Sequence, residues 1–223
     1  MFGEIAPRYD LLNHVLSLNI DRYWRHKTVQ LVPPEGDAPV LDLCTGTGDL
    51  AFAYHKRAAG RVHVIGADFC REMLLIGERK KLRRGVNSEL TFVEADAQAL
   101  PFPDNHFQIV SVAFGLRNVS DTDRGLAEMA RVCRPGGRLA VLEFSKPRFP
   151  PLSTIYTAYF RYVLPRVGAT TSKNQSAYTY LPQSVGEFPD GEALVQRMRE
   201  AGLHDVWFRP FTLGIATLYV GTK

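Results

Sequence analysis

VLDLCTGTGDL, residues 40–50, is the stretch on which the reading of the chain turns. An apolar run ends in an acid, a turn with two glycines follows, and helical spacing resumes at Leu50. Glycines at such a turn let the backbone come close to a ligand, and the helix behind it opens with unpaired N–H groups. Twenty residues beyond Gly48, a second apolar run, VIGAD, ends in Asp68. A carboxylate there can accept hydrogen bonds from both hydroxyls of a ribose. On its own the loop is ambiguous. Gly46-x-Gly48-x-x-Ala51 also satisfies the dinucleotide fingerprint, so a nicotinamide cofactor competes with other adenosine ligands.

Three features outside the loop favour S-adenosylmethionine. Asp42 lies four residues before Gly46, where a dinucleotide strand is normally apolar; a carboxylate there can help hold the amino group of a methionine moiety. Asp96 and Ala97 follow a third apolar run, placing a carboxylate and an amide where an adenine edge would lie. Arg134-Pro135-Gly136-Gly137 turns into a further strand ahead of a C-terminal hairpin. The residues expected to hold the donor are therefore Asp42, Gly46, Gly48, Asp68, Asp96 and Ala97.

Strand patterns at 39–43, 61–67, 90–94, 107–113 and 137–144 alternate with helical patterns at 50–57, 71–83 and 122–134. This alternation predicts βαβ units and a parallel sheet covered by helices on both faces. A capped helix is expected at 190–201, with Asp190 as N-cap and Gly202 as its stop. Strands at 204–211 and 213–220, joined by at most a couple of residues, should pair as an antiparallel hairpin. The expected fold class is thus α/β: a class I, Rossmann-like S-adenosylmethionine-dependent methyltransferase with a seven-stranded, mostly parallel sheet. One domain is expected, with an N-terminal helical cap (1–32), a cofactor-binding core (33–145), a substrate-cap insertion (146–189) and a C-terminal helix and hairpin (190–223). Within the insertion, residues 152–164 carry an aromatic stripe at helical spacing, bounded by Pro150, Pro151 and Pro165. It could pack on the core or cap a greasy substrate.

The 223 residues are 45% hydrophobic and 22% charged, as expected of a chain that buries a core. A net charge of +4 is too small to argue for nucleic acid. Cys44, Cys70 and Cys133 are odd in number and lack metal-ligand spacing, so neither a disulfide framework nor a metal site is expected. No apolar run approaches the ~20 residues of a membrane-spanning helix, and no signal-peptide pattern opens the chain. The expectation is a cytoplasmic protein, at most peripheral at the inner face of the membrane. A homodimer is compatible with the sequence but not specified by it.

FGEIAPRYDLLNHVLSLNIDRYWR at 2–25, VLDLCTGTGDL at 40–50, ADAQALPFPDNHFQIVSVAFGLRNVSD at 95–121, RPGGRLAVLEFSKP at 134–147 and YTYLPQSVGEFP at 178–189 together resemble the ubiquinone/menaquinone biosynthesis C-methyltransferases. FGLRNV and LEFSKP are far more specific than the glycine loop. The resemblance implies ring C-methylation of a prenylated demethylquinol, and it adds Thr47 to the donor contacts already named. It implies further that Arg117 and Asn118 face the acceptor. The chain departs from the family at three places. Glycine is common where Cys44 and Thr45 stand, glycine and histidine are usual at Asn19 and Asp21, and a serine aligns with Ala113.

A ring carbon is a poor nucleophile until a neighbouring phenol loses its proton, so the quinol is the acceptor rather than the quinone. Phenols ionise near a pKa of about 10. Arg117 cannot serve as a base, but it can hold a phenolate as a fixed cation, with Asn118 donating a second hydrogen bond. Tyr9 is the candidate proton relay. The compact form leans toward demethylmenaquinol. The ubiquinone pathway, another lipophilic aromatic acceptor, and a non-catalytic S-adenosylmethionine-binding subunit of a quinone-synthesis complex stay open.

Overall fold

The computed structural model describes residues 17, 19–86, 88–147, 150 and 183–223. In chain order its elements are α1 (Ile20–Leu31), β1 (Val40–Leu43), α2 (Asp49–Ala58), β2 (Val64–Asp68), α3 (Arg71–Arg83), β3 (Leu90–Glu94), β4 (Phe107–Ala113), α4 (Thr122–Val132), β5 (Cys133–Phe144), α5 (Glu192–Glu200), β6 (His204–Phe211) and β7 (Ala216–Thr222). Tyr9 and the aromatic stripe at 152–164 lie outside the described residues.

The strands form one sheet in the order β3-β2-β1-β4-β5-β7-β6. β1 pairs in parallel with β2 and β4, and β4 in parallel with β5. β7 enters antiparallel between β5 and β6. All four residues of β1 are buried, as are six of seven in β4, which is why these runs are apolar without alternation. One face of the sheet is covered by α4 and α5 through Leu126, Met129, Leu194 and Met198. The other is covered by α1 and α2 through Trp24, Val29, Leu50 and Tyr54. Strand order reverses between β1 and β4, and ligands of open α/β sheets bind at the carboxyl ends of strands at such a switch.

The sequence expectations hold for sheet and helices but not at every boundary: β2 starts at Val64 rather than at 61, and three further differences have structural causes. β5 begins at Cys133, directly after α4, and the Arg134–Gly137 turn becomes an irregularity inside the strand: Phe107 pairs with Cys133, and Ile109 already with Arg138. Asp190 does not cap α5. The N-cap is Gly191, at φ 60 and ψ −130, a conformation only glycine adopts readily. Its N–H donates to Tyr219 Oη at 2.7 Å, while the Asp190 carboxylate accepts from the Lys146 N–H. The final hairpin is joined by a 3₁₀ turn, Thr212–Gly214, rather than a minimal loop, and β7 starts at Ala216. The extra residues let Thr212 Oγ1 accept a 2.7 Å hydrogen bond from Trp24 Nε1, which ties the turn to α1.

Candidate active site

The turn after β1 rises over a cleft of about 350 Å³ at the carboxyl ends of β1, β2 and β4. Gly46 lines it, and its N–H donates to Asp68 Oδ2 at 2.7 Å. Asp68 Oδ1 accepts a second backbone hydrogen bond, from Cys70 at 2.8 Å. The carboxylate is therefore oriented by its own loop while each oxygen retains acceptor capacity for a ligand hydroxyl. Burial pushes the Asp68 carboxyl up, and these two N–H groups pull it back. Asp96, Ala97 and Gln98 line the adjoining wall. Asp96 Oδ1 accepts from the Gln98 N–H, and Gln98 Oε1 accepts from the N–H of Asp121, the N-cap of α4. Phe69, 76% exposed, stands on the rim between Asp68 and Cys70.

Three expected donor residues sit behind this lining. Asp42 is 1% exposed and accepts from Thr45 Oγ1 at 2.6 Å and Ser111 Oγ at 3.0 Å. Burial raises its pKa from 3.8 to about 7 against the lowering effect of those hydroxyls and of Arg25. Thr47 is buried, its hydroxyl accepting from Lys80 Nζ, which also pairs with Asp49 at 2.8 Å. Gly48 has φ 89, and a Cβ there would lie 2.5 Å from the Phe92 ring. The two glycines of the motif thus do different work. Gly46 exposes backbone to the cleft, and Gly48 admits an aromatic ring beneath it.

The opposite wall comes from the residues after β4. Phe114 adopts φ 58, uncommon for a bulky side chain, as its N–H extends the sheet to Leu142 at 2.8 Å. Gly115 packs so closely on the first turn that a Cβ would meet Cys44 Cβ at 2.3 Å. Cys44 is itself at φ 48; burial and the nearby Asp68 and Asp42 push its thiol up, so it stays protonated. Leu116–Asn118 forms a 3₁₀ turn that sets Asn118 on the cleft wall. Arg117 points away from the lining. Its Nη1 donates to Glu143 Oε1 at 2.6 Å and to the Phe114 carbonyl, its guanidinium lies over the Phe144 ring, and 9% of its side chain is exposed. Its buried Nε has no hydrogen-bond partner among the described residues. Trp24, Phe114 and Phe144 pack on one another at centroid distances of 4.5–6.1 Å. Arg25, paired with Asp21, covers Phe114 from α1.

The cleft therefore unites Gly46, Asp68, Asp96, Ala97 and Asn118, keeps Asp42, Thr47 and Gly48 in support beneath the loop, and leaves Arg117 one residue outside its lining. Sequence reasoning missed Phe69, Gln98, Phe114, Gly115 and Glu143. Their signal was positional: each lies within two residues of a strand end or of a residue already singled out. The family departure at Asn19 also has a structural reading. It adopts φ 61 at the N-cap of α1, the left-handed region that glycine occupies freely and asparagine tolerates.

The model of the ubiE/COQ5 methyltransferase family matches residues 1–223. Among curated relatives, the demethylmenaquinone methyltransferase of Thermus thermophilus is 48% identical over 223 residues, covering 100% of both chains. That of Bacteroides fragilis is 42% identical over all of this chain and 91% of its own. The ubiquinone/menaquinone biosynthesis C-methyltransferase of Erwinia tasmaniensis is 41% identical over all of this chain and 89% of its own. Among solved structures, a putative S-adenosyl-L-methionine-dependent methyltransferase from Methanococcus maripaludis superposes with a TM-score of 0.71 at 16% identity, covering 100% of this chain and 94% of that one. A SAM-dependent methyltransferase from Thermotoga maritima gives 0.69 at 17%, covering both completely; at these identities the likeness is one of fold. A match along the whole chain, with relatives above 40% identity, makes the protein a member of the ubiE/COQ5 methyltransferase family.

Proposed function

We propose that this protein transfers a methyl group from S-adenosylmethionine to a ring carbon of a prenylated demethylquinol, demethylmenaquinol, in menaquinone biosynthesis. The observation that carries this reading is one cleft lined both by Asp68 and Asp96 and by Phe114, Gly115 and Asn118. The carboxylates suit the ribose and adenine of the donor; the wall suits an aromatic acceptor. The donor supplies an electrophilic methyl on a sulfonium. Asp68 accepts the two ribose hydroxyls, and Asp96 with the Ala97 amide meets the adenine edge. Asp42, under the loop, adds negative charge for the methionine amino group, because an arriving cation favours its ionised form.

At the acceptor end, Asn118 donates to the ring oxygen, and the Arg117 guanidinium, held behind the wall by Glu143, supplies positive charge close to it. A positive charge fixed before the acceptor arrives favours phenolate over phenol and costs no reorganisation during transfer. The Trp24–Phe114–Phe144 cluster keeps water away from that oxygen. Tyr9 is the proposed relay for the departing proton. No helix among the described residues is long and apolar enough to cross a membrane. A prenylated acceptor must still be fetched from a bilayer, and the outward side of α1, with Arg22, Tyr23 and His26 exposed, is the surface proposed to meet it.

Incubation with labelled S-adenosylmethionine and reduced demethylmenaquinone, followed by mass analysis of the lipid, tests the reading. The expected product carries one labelled ring methyl. Label found only in a demethylubiquinol offered alongside would assign the ubiquinone pathway. Calorimetric binding of the donor without turnover of either quinol would instead favour a non-catalytic subunit.

A further inference from the structure

FGLRN and LEFSK stand at the ends of the neighbouring parallel strands β4 and β5, and their side chains interlock. The Phe114 N–H reaches the Leu142 carbonyl, Phe114 stacks on Phe144 at 4.5 Å, and Arg117 pairs with Glu143 at 2.6 Å. Glu143 is 1% exposed. A carboxylate buried so deeply requires partners, and breaking one side of a buried ion pair is far more disruptive than removing both. Its Oε1 accepts from Arg117 Nη1 and from the Phe144 N–H at 2.9 Å, and Oε2 faces the Arg117 backbone N–H at 3.5 Å. One carboxylate thus holds both the side chain and the backbone of the residue beside Asn118.

We propose that Glu143 is the positioning residue of the acceptor site: it fixes the Arg117 guanidinium against Phe144 and, by balancing its charge, sets the pH at which the acceptor phenol ionises. This rests on the acceptor-side reading of Arg117. The surrounding groups leave that task to Glu143. Cys44 on the β1 turn and Tyr219 on β7 are both pushed up by burial and stay protonated. Arg25 on α1 is matched by Asp21, Asp42 is held by Thr45 and Ser111, and Asp68 by backbone amides.

The test measures turnover of reduced demethylmenaquinone in detergent from about pH 6 to about pH 10, the range that brackets phenol ionisation. The variants are Glu143→Gln, Glu143→Asp, Arg117→Ala and Arg117→Ala/Glu143→Gln, with donor affinity by calorimetry as the check of folding. Glu143→Gln is expected to bind the donor as the parent does and to lose about tenfold or more in kcat. The acid limb of its pH profile should move down by about one unit, since an uncompensated guanidinium favours the phenolate. Glu143→Asp keeps the charge on a shorter arm, so kcat should fall with the limb in place. The double variant should be no slower than Arg117→Ala, because Glu143 acts through Arg117. An unmoved limb in Glu143→Gln, or losses that multiply in the double variant, would overturn the proposal. Where Glu143→Gln does not fold, a parental kcat in Glu143→Asp overturns it instead. Full turnover by Arg117→Ala alone would sink the acceptor reading, and this role with it.

Discussion

The two walls of the cleft, the proposed donor wall and the proposed acceptor wall, are built on opposite plans. The donor wall is local: Gly46, Asp68 and Cys70 are joined by backbone N–H groups to one carboxylate, and Asp96 by its own turn. Its charged groups face the cleft. The acceptor wall is assembled from distant segments, with α1, the end of β4, the end of β5 and the β6–β7 turn meeting around Trp24, Phe114 and Phe144. Its charges are paired behind the lining, Arg117 with Glu143 and Arg25 with Asp21. The donor is a polar molecule that direct hydrogen bonds can hold. The acceptor offers little beyond ring oxygens and an apolar body, so shape and a fixed field must do more.

Substitutions should separate the two walls. The largest effect is expected from Arg117→Ala, which should lower kcat by about 10²–10³-fold while calorimetry finds the donor affinity unchanged. A parallel loss of donor affinity would mean that the walls are not independent. Asp68→Ala should do the reverse, weakening donor affinity by about 10- to 100-fold through two lost charge-assisted hydrogen bonds, with the KM for quinol held. Gly48→Ala strains a positive φ and drives a methyl into Phe92, so urea unfolding should give a loss of about 2 kcal/mol at an unchanged m-value. A further, pH-dependent effect concerns the buried carboxyl beneath the donor wall. Because the folded Asp42 binds its proton more tightly than the unfolded chain does, its contribution is present below about pH 4 and is lost as pH rises to about 7. The slope is at most about 1.4 kcal/mol per pH unit. Asp42→Asn should remove that decline; identical pH dependence of stability in parent and variant would discount the burial of a charge there.

The donor wall was the more legible half, and for the same reason. Its residues sit at fixed offsets from apolar runs whose periodicity marks the strands, so Asp68 and Asp96 could be named from spacing. The acceptor wall was legible only as motifs. Nothing local couples Arg117 to Glu143, 26 residues apart. The usable signal was topological: an arginine in one motif and a glutamate in the other, at the ends of strands that are neighbours. Boundary errors had the same origin. Asp190 looks like a cap in isolation, and fails because the Lys146 N–H engages its carboxylate and Tyr219 takes the Gly191 N–H. The hairpin looks minimal until Trp24 claims Thr212.

That bond between Trp24 and Thr212 carries a consequence for synthesis. The donor-side residues lie within 40–121 and the strand that supports the acceptor side ends at Phe144, whereas α1 is bonded to a turn made almost two hundred residues after it. Until β7 slides between β5 and β6, β5 has an open edge and the aromatic cluster lacks its bolt. The residues of the donor side are thus synthesised before the turn that ties α1 to the acceptor side.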